Sequence, residues 1–241
     1  MAQTAILLFG ATGRMGRAVR ACLPEFPEAR LIGCVARSPD DLGCPKGCSW
    51  MTPEDLFAGR GELPVDSVVI DVSLAAGTAR LLDWLERSPR AFLSATTGLG
   101  QADEARVEAL GARAPVLRAR NLSVGNSVAE GMLRSVPAAA RTLLEVDLVE
   151  HHHSAKRDAP SGTALAWAAL LRPGEVRIHS IRSGTAAGTH RMIFAGAGET
   201  LEIVHTVSDR AVFARGALRA ACFLRGKPPG LYTLEQTLAG P

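Results

Sequence analysis

The sequence has no apolar run approaching the ~20 residues that a membrane span requires. Its first residues, MAQTAILLFG, lack the basic region and cleavage site of a secretory signal. Both absences lead us to expect a cytoplasmic protein with no membrane partner. Cysteine is scarce and odd in number: Cys22, Cys34, Cys44, Cys48 and Cys222 show no dense spacing, which argues against a disulfide framework. Cys44 and Cys48 have no second ligand pair beside them in the chain, so reduced, partly buried thiols are expected there rather than zinc. No sign of charge is in large surplus. A formal net charge of +3, with 47% hydrophobic and 21% charged residues, speaks against both disorder and a polyelectrolyte nucleic-acid binder. The small, scattered surplus suits anionic small molecules. Internal repeats, low-complexity tracts and Pro/Gly/Ser linkers are also missing, so 241 residues should form one large or two modest domains.

What the chain does have is alternation. Through residue 120, the short apolar runs AILLF, ARLIGCVA, VDSVVIDVS, RAFLSAT and APVLRAR alternate with helical stretches such as RMGRAVRACL. Runs of this length, partly β-branched and closed by turn residues, fit buried parallel strands joined by crossover helices. The pattern predicts an α/β fold, an N-terminal Rossmann-like doubly wound parallel sheet. Near residue 121 the rhythm changes: SVGNSVAEGMLRSV and SGTALAWAALL read as helices, and LLEVDLVEHHH, VRIHSIRSG, THRMIFAG and TLEIVHTVS as strands. Consecutive strands with short turns imply an α+β second domain with a mixed, largely antiparallel sheet. The closing RAVFARGALRAACFLRG reads as a helix with Val212, Leu218, Ala221 and Cys222 on one face, available to return to the first domain.

Strand AILLF runs directly into Gly10, Ala11, Thr12, Gly13, Arg14, Met15 and Gly16, followed by a helix. Glycines in that context permit a tight turn and let backbone N–H groups approach a pyrophosphate at the helix start. The spacing is G-x-x-G-x-x-G, with Ala11 in the slot of the usual first glycine. At the end of the second strand, where an NAD enzyme places a carboxylate, the chain reads Ala36-Arg37-Ser38. A guanidinium there favours a 2′-phosphate, so NADPH is the expected cofactor, with NADH as the lesser alternative.

The stretch EHHHSAKRDAPSGTA, residues 150–164, concentrates polar chemistry. On a strand, His151 and His153 share one face and His152 the other, poor geometry for a single metal, so no metal is expected. A proton-transfer site uses the residues better. Histidine exchanges a proton near neutrality and Lys156 supplies a cation. Pro160 stiffens the approach to a helix that Ser161 can cap, turning the N–H groups of Gly162 and Thr163 toward an anion.

With these segments in view, the chain resembles the dihydrodipicolinate reductases, NAD(P)H-dependent enzymes of lysine biosynthesis. The likeness is carried by GATGRMGR at 10–17, ATTG at 95–98, NLSVGNSV at 121–128, RSGTAAGTH at 182–190 and above all EHHHSAKRDAPSGTA, which has the form H-H-x-x-K-x-D-x-P-S-G-T-A. The resemblance implies a dinucleotide-binding domain at 1–122 and 212–241, a substrate-binding and oligomerisation domain at 123–211, and a homotetramer. It implies His152 as catalytic histidine and Lys156 as proton donor, with His153, Gly162 and Thr163 on the carboxylates of a small dicarboxylate. Gly10, Ala11, Thr12, Gly13, Arg14, Met15, Arg37, Ala95, Thr96, Thr97, Ala119, Arg120, Asn121 and Leu122 would line the cofactor. The reaction so implied takes 4-hydroxy-tetrahydrodipicolinate, with loss of water, to tetrahydrodipicolinate by hydride delivery from the nicotinamide. Ala95, Leu122 and Ser154 depart from the family's usual glycine, aromatic and basic residues. Arg118 and Arg120 stand where smaller residues are usual, as phosphate contacts or surface charge. Two other readings stay open: a two-domain NAD(P)-dependent reductase of another small amino or keto acid, and a non-catalytic NADPH-binding regulator.

Overall fold

The computed structural model describes residues 2–40, 43–61, 63–171 and 176–238. It divides into two compact units, Met1–Leu122 with Phe213–Pro241, and Ser123–Val212. The chain begins β1 (Thr4–Phe9), α1 (Arg14–Cys22), β2 (Ala29–Val35), β3 (Ser49–Met51), α2 (Pro53–Phe57), β4 (Val68–Asp71), α3 (Ala75–Arg87), β5 (Ala91–Ser94), α4 (Gln101–Leu110) and β6 (Pro115–Arg118). There follow α5 (Val124–Ser135), α6 (Ala138–Leu143), β7 (Glu145–His152), α7 (Gly162–Leu171), β8 (Arg177–Arg182), β9 (Gly188–Gly196) and β10 (Glu199–Val207), and then α8 (Ala211–Leu224) and β11 (Gly230–Tyr232).

In the first unit seven strands lie in the order β11-β6-β5-β4-β1-β2-β3, every neighbouring pair parallel. Helices on both faces of a parallel sheet leave no polar side, which is why β1, TAILLF, is buried at every position. Leu7, Phe9, Val69, Phe92 and Val116 of the strands pack in one core with Leu81 and Leu85 of α3 and Val107 of α4. The chain lays β2 and β3 to one side of β1 and then returns to place β4 on the other. That reversal opens a crevice beyond the carboxyl ends of β1 and β4, where ligands of such sheets bind. The Rossmann-like sheet read from the sequence is therefore present. It carries two more strands than the apolar runs suggested, β3 and β11, each three residues long and too short to show a period.

The second sheet runs β10-β9-β7-β8. Strands β7 and β8 are parallel, with α7 between them in the chain, whereas β7–β9 and β9–β10 are antiparallel, giving the expected mixed and largely antiparallel sheet. Leu148, Met192 and Ile203 share the face that packs with Leu133 of α5 and Trp167 of α7. Along β7 burial alternates, with Leu148, Glu150 and His152 on the buried side. A carboxylate and an imidazole thus continue the face that begins as apolar core.

Candidate active site

At the end of β1, Gly10 turns at φ +89°, a left-handed angle that favours glycine. The N–H groups of Gly10 and Ala11 donate to the Val35 carbonyl at 3.0 and 3.1 Å, fixing the turn against β2. No side chain caps α1, so the N–H groups of its first turn remain for a ligand. An uncapped helix start behind a left-handed glycine, at the sheet's reversal, fits the pyrophosphate of a dinucleotide.

The other residues expected to line the cofactor lie at the carboxyl ends of neighbouring parallel strands. Arg37 is exposed just past β2. Nearby Asp40 is held by Arg20 at 2.9 and 2.8 Å and by Arg17 at 3.2 Å, so its charge is compensated. After β5, the Ala95 N–H donates to the Asp71 carbonyl at 3.0 Å, Thr96 is buried and Thr97 exposed. After β6, Ala119 and Leu122 are buried, Asn121 half-buried and Arg120 exposed. Arg118 grips Glu104 at 2.8 and 2.9 Å and Arg120 reaches it at 3.4 Å, so both of these basic residues face a carboxylate.

In the second unit a polar cluster surrounds the end of β7. Glu150 is fully buried and accepts four hydrogen bonds. Arg182 donates to both oxygens at 2.9 and 2.6 Å and the Ser161 N–H to Oε1 at 3.3 Å. The fourth bond comes from Nδ1 of His152. Burial opposes the Glu150 charge, but the hydrogen bonds from Arg182 and His152, with the nearby Ser180 hydroxyl, outweigh it and hold the carboxyl at about 2. An ionised carboxylate only accepts, so Nδ1 of His152 carries the proton and Nε2 is the nitrogen left to exchange one. A Cβ on Gly188 would lie 3.0 Å from that Nε2, so only glycine leaves the space beside it open. Burial pushes the His152 pKa below its ordinary value, with Glu150 pulling back. Ser161 accepts from the Ala164 N–H at 3.2 Å, capping α7, and its hydroxyl lies 3.0 Å from Nε2 of His190. Burial, and then the charge of His152, push His190 down to about 4.

Glu150, His152 and His190 could be read as a metal triad. The four bonds on Glu150 use all of its roughly four lone-pair positions, which leaves none for an ion. Of the other expected residues, Lys156 places its ammonium on Asp158 at 2.8 Å to each oxygen. Nε2 of His153 accepts from Arg210 at 3.1 Å, and Gly162 and Thr163 open α7. The structure therefore joins His152 to the α7 start through Glu150, while Lys156 and His153 pair elsewhere. Glu150, Arg182, Gly188 and His190 lie in segments that carry the resemblance, but sequence alone assigned none of them a role. Glu150 had a signal, two residues before His152 on one strand face; Arg182 and His190 are brought in only by the pairings His152↔Arg182 and Glu150↔His190.

Residues 4–122 match the family model described as dihydrodipicolinate reductase, N-terminus, and residues 128–238 match dihydrodipicolinate reductase, C-terminus. The 4-hydroxy-tetrahydrodipicolinate reductase of Xanthomonas campestris pv. campestris (strain B100) is 36% identical over 234 residues, covering 95% of each chain. That of Stenotrophomonas maltophilia (strain K279a) is 36% identical over 245 residues, covering 97% of each. Among solved structures, dipicolinate-bound dihydrodipicolinate reductase from Paenisporosarcina sp. TG-14 superposes with a TM-score of 0.75 at 18% identity, covering 98% of this chain and 100% of that one, a likeness of fold. With both family models matched in sequence order and relatives aligned over 95% or more of each chain, the chain belongs to the dihydrodipicolinate reductase family.

Proposed function

We propose that this chain reduces 4-hydroxy-tetrahydrodipicolinate to tetrahydrodipicolinate with a nicotinamide cofactor, in the diaminopimelate route to lysine; the 4-hydroxyl leaves as water, and a hydride and a proton add to the unsaturated imine that results. The observation that carries the reading is the Glu150–His152 pair joined to the start of α7, within the residues that match the family's C-terminal model. The reduced nicotinamide, when bound, supplies the hydride. The protein's own part is binding and proton handling. The opening turn of α7 and the Lys156 ammonium attract the carboxylates of the substrate. Glu150 fixes the tautomer of His152 so that Nε2 faces the open side beside Gly188, and Lys156 gives the proton that quenches charge on the reduced ring. His153 adds a polar contact to the substrate. Gly10, Ala11, Thr12, Gly13, Arg14 and Met15 hold the pyrophosphate, and the turns at Ala95, Thr96 and Thr97 and at Ala119, Arg120, Asn121 and Leu122 flank the remainder of the cofactor.

NADPH is the preferred form. Arg37 stands where a 2′-phosphate would lie, and the nearby carboxylate of Asp40 is neutralised by Arg20 and Arg17. The working species is a cytoplasmic homotetramer. Support for the assembly is the face of the second sheet opposite α5 and α7, which carries Val204 at 49% and Ile181 at 44% exposure; light scattering is expected to return the mass of four chains. Five free cysteines suit the reducing cytoplasm.

The deciding assay follows NADPH oxidation while pyruvate and aspartate semialdehyde are condensed to the substrate. His152→Ala is expected to lower turnover ~10²–10⁴-fold, the usual worth of a placed proton-transfer group, while NADPH still binds. Lys156→Ala should damage both turnover and substrate affinity. Cofactor binding without oxidation in the wild type would make the chain a regulator. Arg37→Ala should raise the KM for NADPH roughly tenfold or more, the value of one charged hydrogen bond, and leave the KM for NADH unchanged.

A further inference from the structure

On the β2 side of the glycine loop, three of the five cysteines meet. Cys34 is a fully buried residue of β2, while the half-buried Cys44 and Cys48 come from the segment between β2 and β3. Cys44 Sγ lies 2.8 Å from Cys48 Sγ, which lies 3.6 Å from Cys34 Sγ, and the three sulfurs all fall within 4.8 Å of one another.

The segment is shaped to bring them together. A glycine precedes each of its cysteines, Gly43 at φ +66° and Gly47 at φ +79°. A Cβ on either would meet nothing within 4 Å, so these glycines serve the backbone angle and not close packing. The Cys48 N–H donates to the Pro45 carbonyl at 3.0 Å, closing a turn whose third residue, Gly47, has the left-handed angle such a turn requires. Arg20, buried in α1, fastens the same segment: it bonds the Asp40 carboxylate, the Gly43 carbonyl at 2.5 Å and the Ala11 carbonyl of the glycine loop at 3.2 Å.

We propose that Cys34, Cys44 and Cys48 form a three-thiolate zinc site that clips this segment onto β2, with the fourth tetrahedral position open to solvent. Packing alone accounts for a buried Cys34 but not for two half-buried thiols turned onto it. A disulfide would engage two sulfurs and leave the third without a role. Zinc–thiolate bonds of about 2.3 Å place sulfurs about 3.8 Å apart in a tetrahedron. The Cys34–Cys48 separation of 3.6 Å is already near that, while the Cys44 and Cys48 sulfurs, at 2.8 Å, would part by about 1 Å as the metal enters. In sequence these two cysteines stand four positions apart, a spacing found in zinc-binding pairs. Sequence spacing hid the site because Cys34 belongs to the preceding strand.

The test uses the full chain, expressed with zinc and purified with a phosphine reductant and no chelator. Plasma mass spectrometry is expected to find about one zinc per chain, and Co2+ exchanged into the protein to show thiolate-to-metal charge transfer and the visible bands of a tetrahedral site. Cys48→Ser, a change in a half-buried turn, should abolish both signals while circular dichroism stays unchanged. Cys222→Ser should keep both. Equal zinc in wild type and Cys48→Ser, absence of metal and cobalt bands in the wild type, or a Cys44–Cys48 disulfide in protein alkylated directly from cells would each overturn the proposal.

Discussion

Glu150 does the most with a single side chain. Its carboxylate sits at zero exposure, and its four hydrogen bonds come from His152 of β7, Arg182 of β8 and Ser161 at the start of α7. Glu150→Gln keeps the shape but replaces an acceptor with an NH2 donor facing other donors, and it leaves the Arg182 guanidinium without its counter-charge. Breaking one side of a buried ion pair costs about 3–5 kcal/mol, so urea unfolding should show a loss of that order. The acid limb of the kcat profile should also shift, because His152 loses the partner that selects its tautomer. A loss below about 0.5 kcal/mol, the range of an ordinary surface change, would mean that the carboxylate is not ionised in the folded state. At this scale the sequence was informative where spacing carried meaning. The stretch 150–164 stood out by its density of polar residues, the resemblance singled out His152 and Lys156 within it, and the i, i+2 relation hinted at Glu150. Arg182 and His190 delimit a segment the resemblance had marked, but they are some thirty or more positions on and nothing in the sequence set them against Glu150.

Among the elements, α1 shows how close packing and ligand chemistry share residues. A Cβ on Gly16 would sit 2.3 Å from the Gly10 carbonyl oxygen and 2.6 Å from Ala11 backbone atoms, none of which can swing away. Gly16→Ala is therefore expected to destabilise the first unit by about 1–3 kcal/mol, the usual cost of overpacking. It should also weaken NADPH binding measured by fluorescence titration, since the helix must move off the loop whose N–H groups it helps present. Unchanged affinity would separate the glycine's packing role from ligand binding. The helix and the loop were legible because an apolar run, three glycines and a helical period follow one another in the chain. Strands β3 and β11 were not, since each takes its place from a neighbour, Cys34↔Trp50 and Leu231↔Val116, and not from its own pattern.

For the whole molecule, buried titratable groups set the response to acid. His190 sits at about 4 against an ordinary 6.5, so between those values the unfolded chain binds a proton that the native state does not. Stability therefore falls as pH drops from 6.5 toward 4. Glu150, at about 2 against 4.5, adds a loss of the same sign from pH 4.5 downward. Each shift corresponds to roughly 3 kcal/mol at most. Asp71 works the other way, because burial raises its carboxyl above 3.8 and protonation then favours the folded state. The discriminating comparison is His190→Gln, which retains a side chain able to bond Ser161. Its urea midpoint should change less than the wild type's between pH 7 and pH 4.5, and equal slopes would show that His190 titrates normally.

The sequence by itself determined the two classes of sheet, the glycine loop that opens α1 and the segment that carries the proposed chemistry, because period, turn residues and motif spacing are properties of neighbours along the chain. Only the tertiary structure decided which residues complete each cluster. Strand register set Arg182 and His190 around Glu150, and a turn with two left-handed glycines swung Cys44 and Cys48 onto Cys34. Such meetings depend on pairings between distant segments, which local preference does not encode.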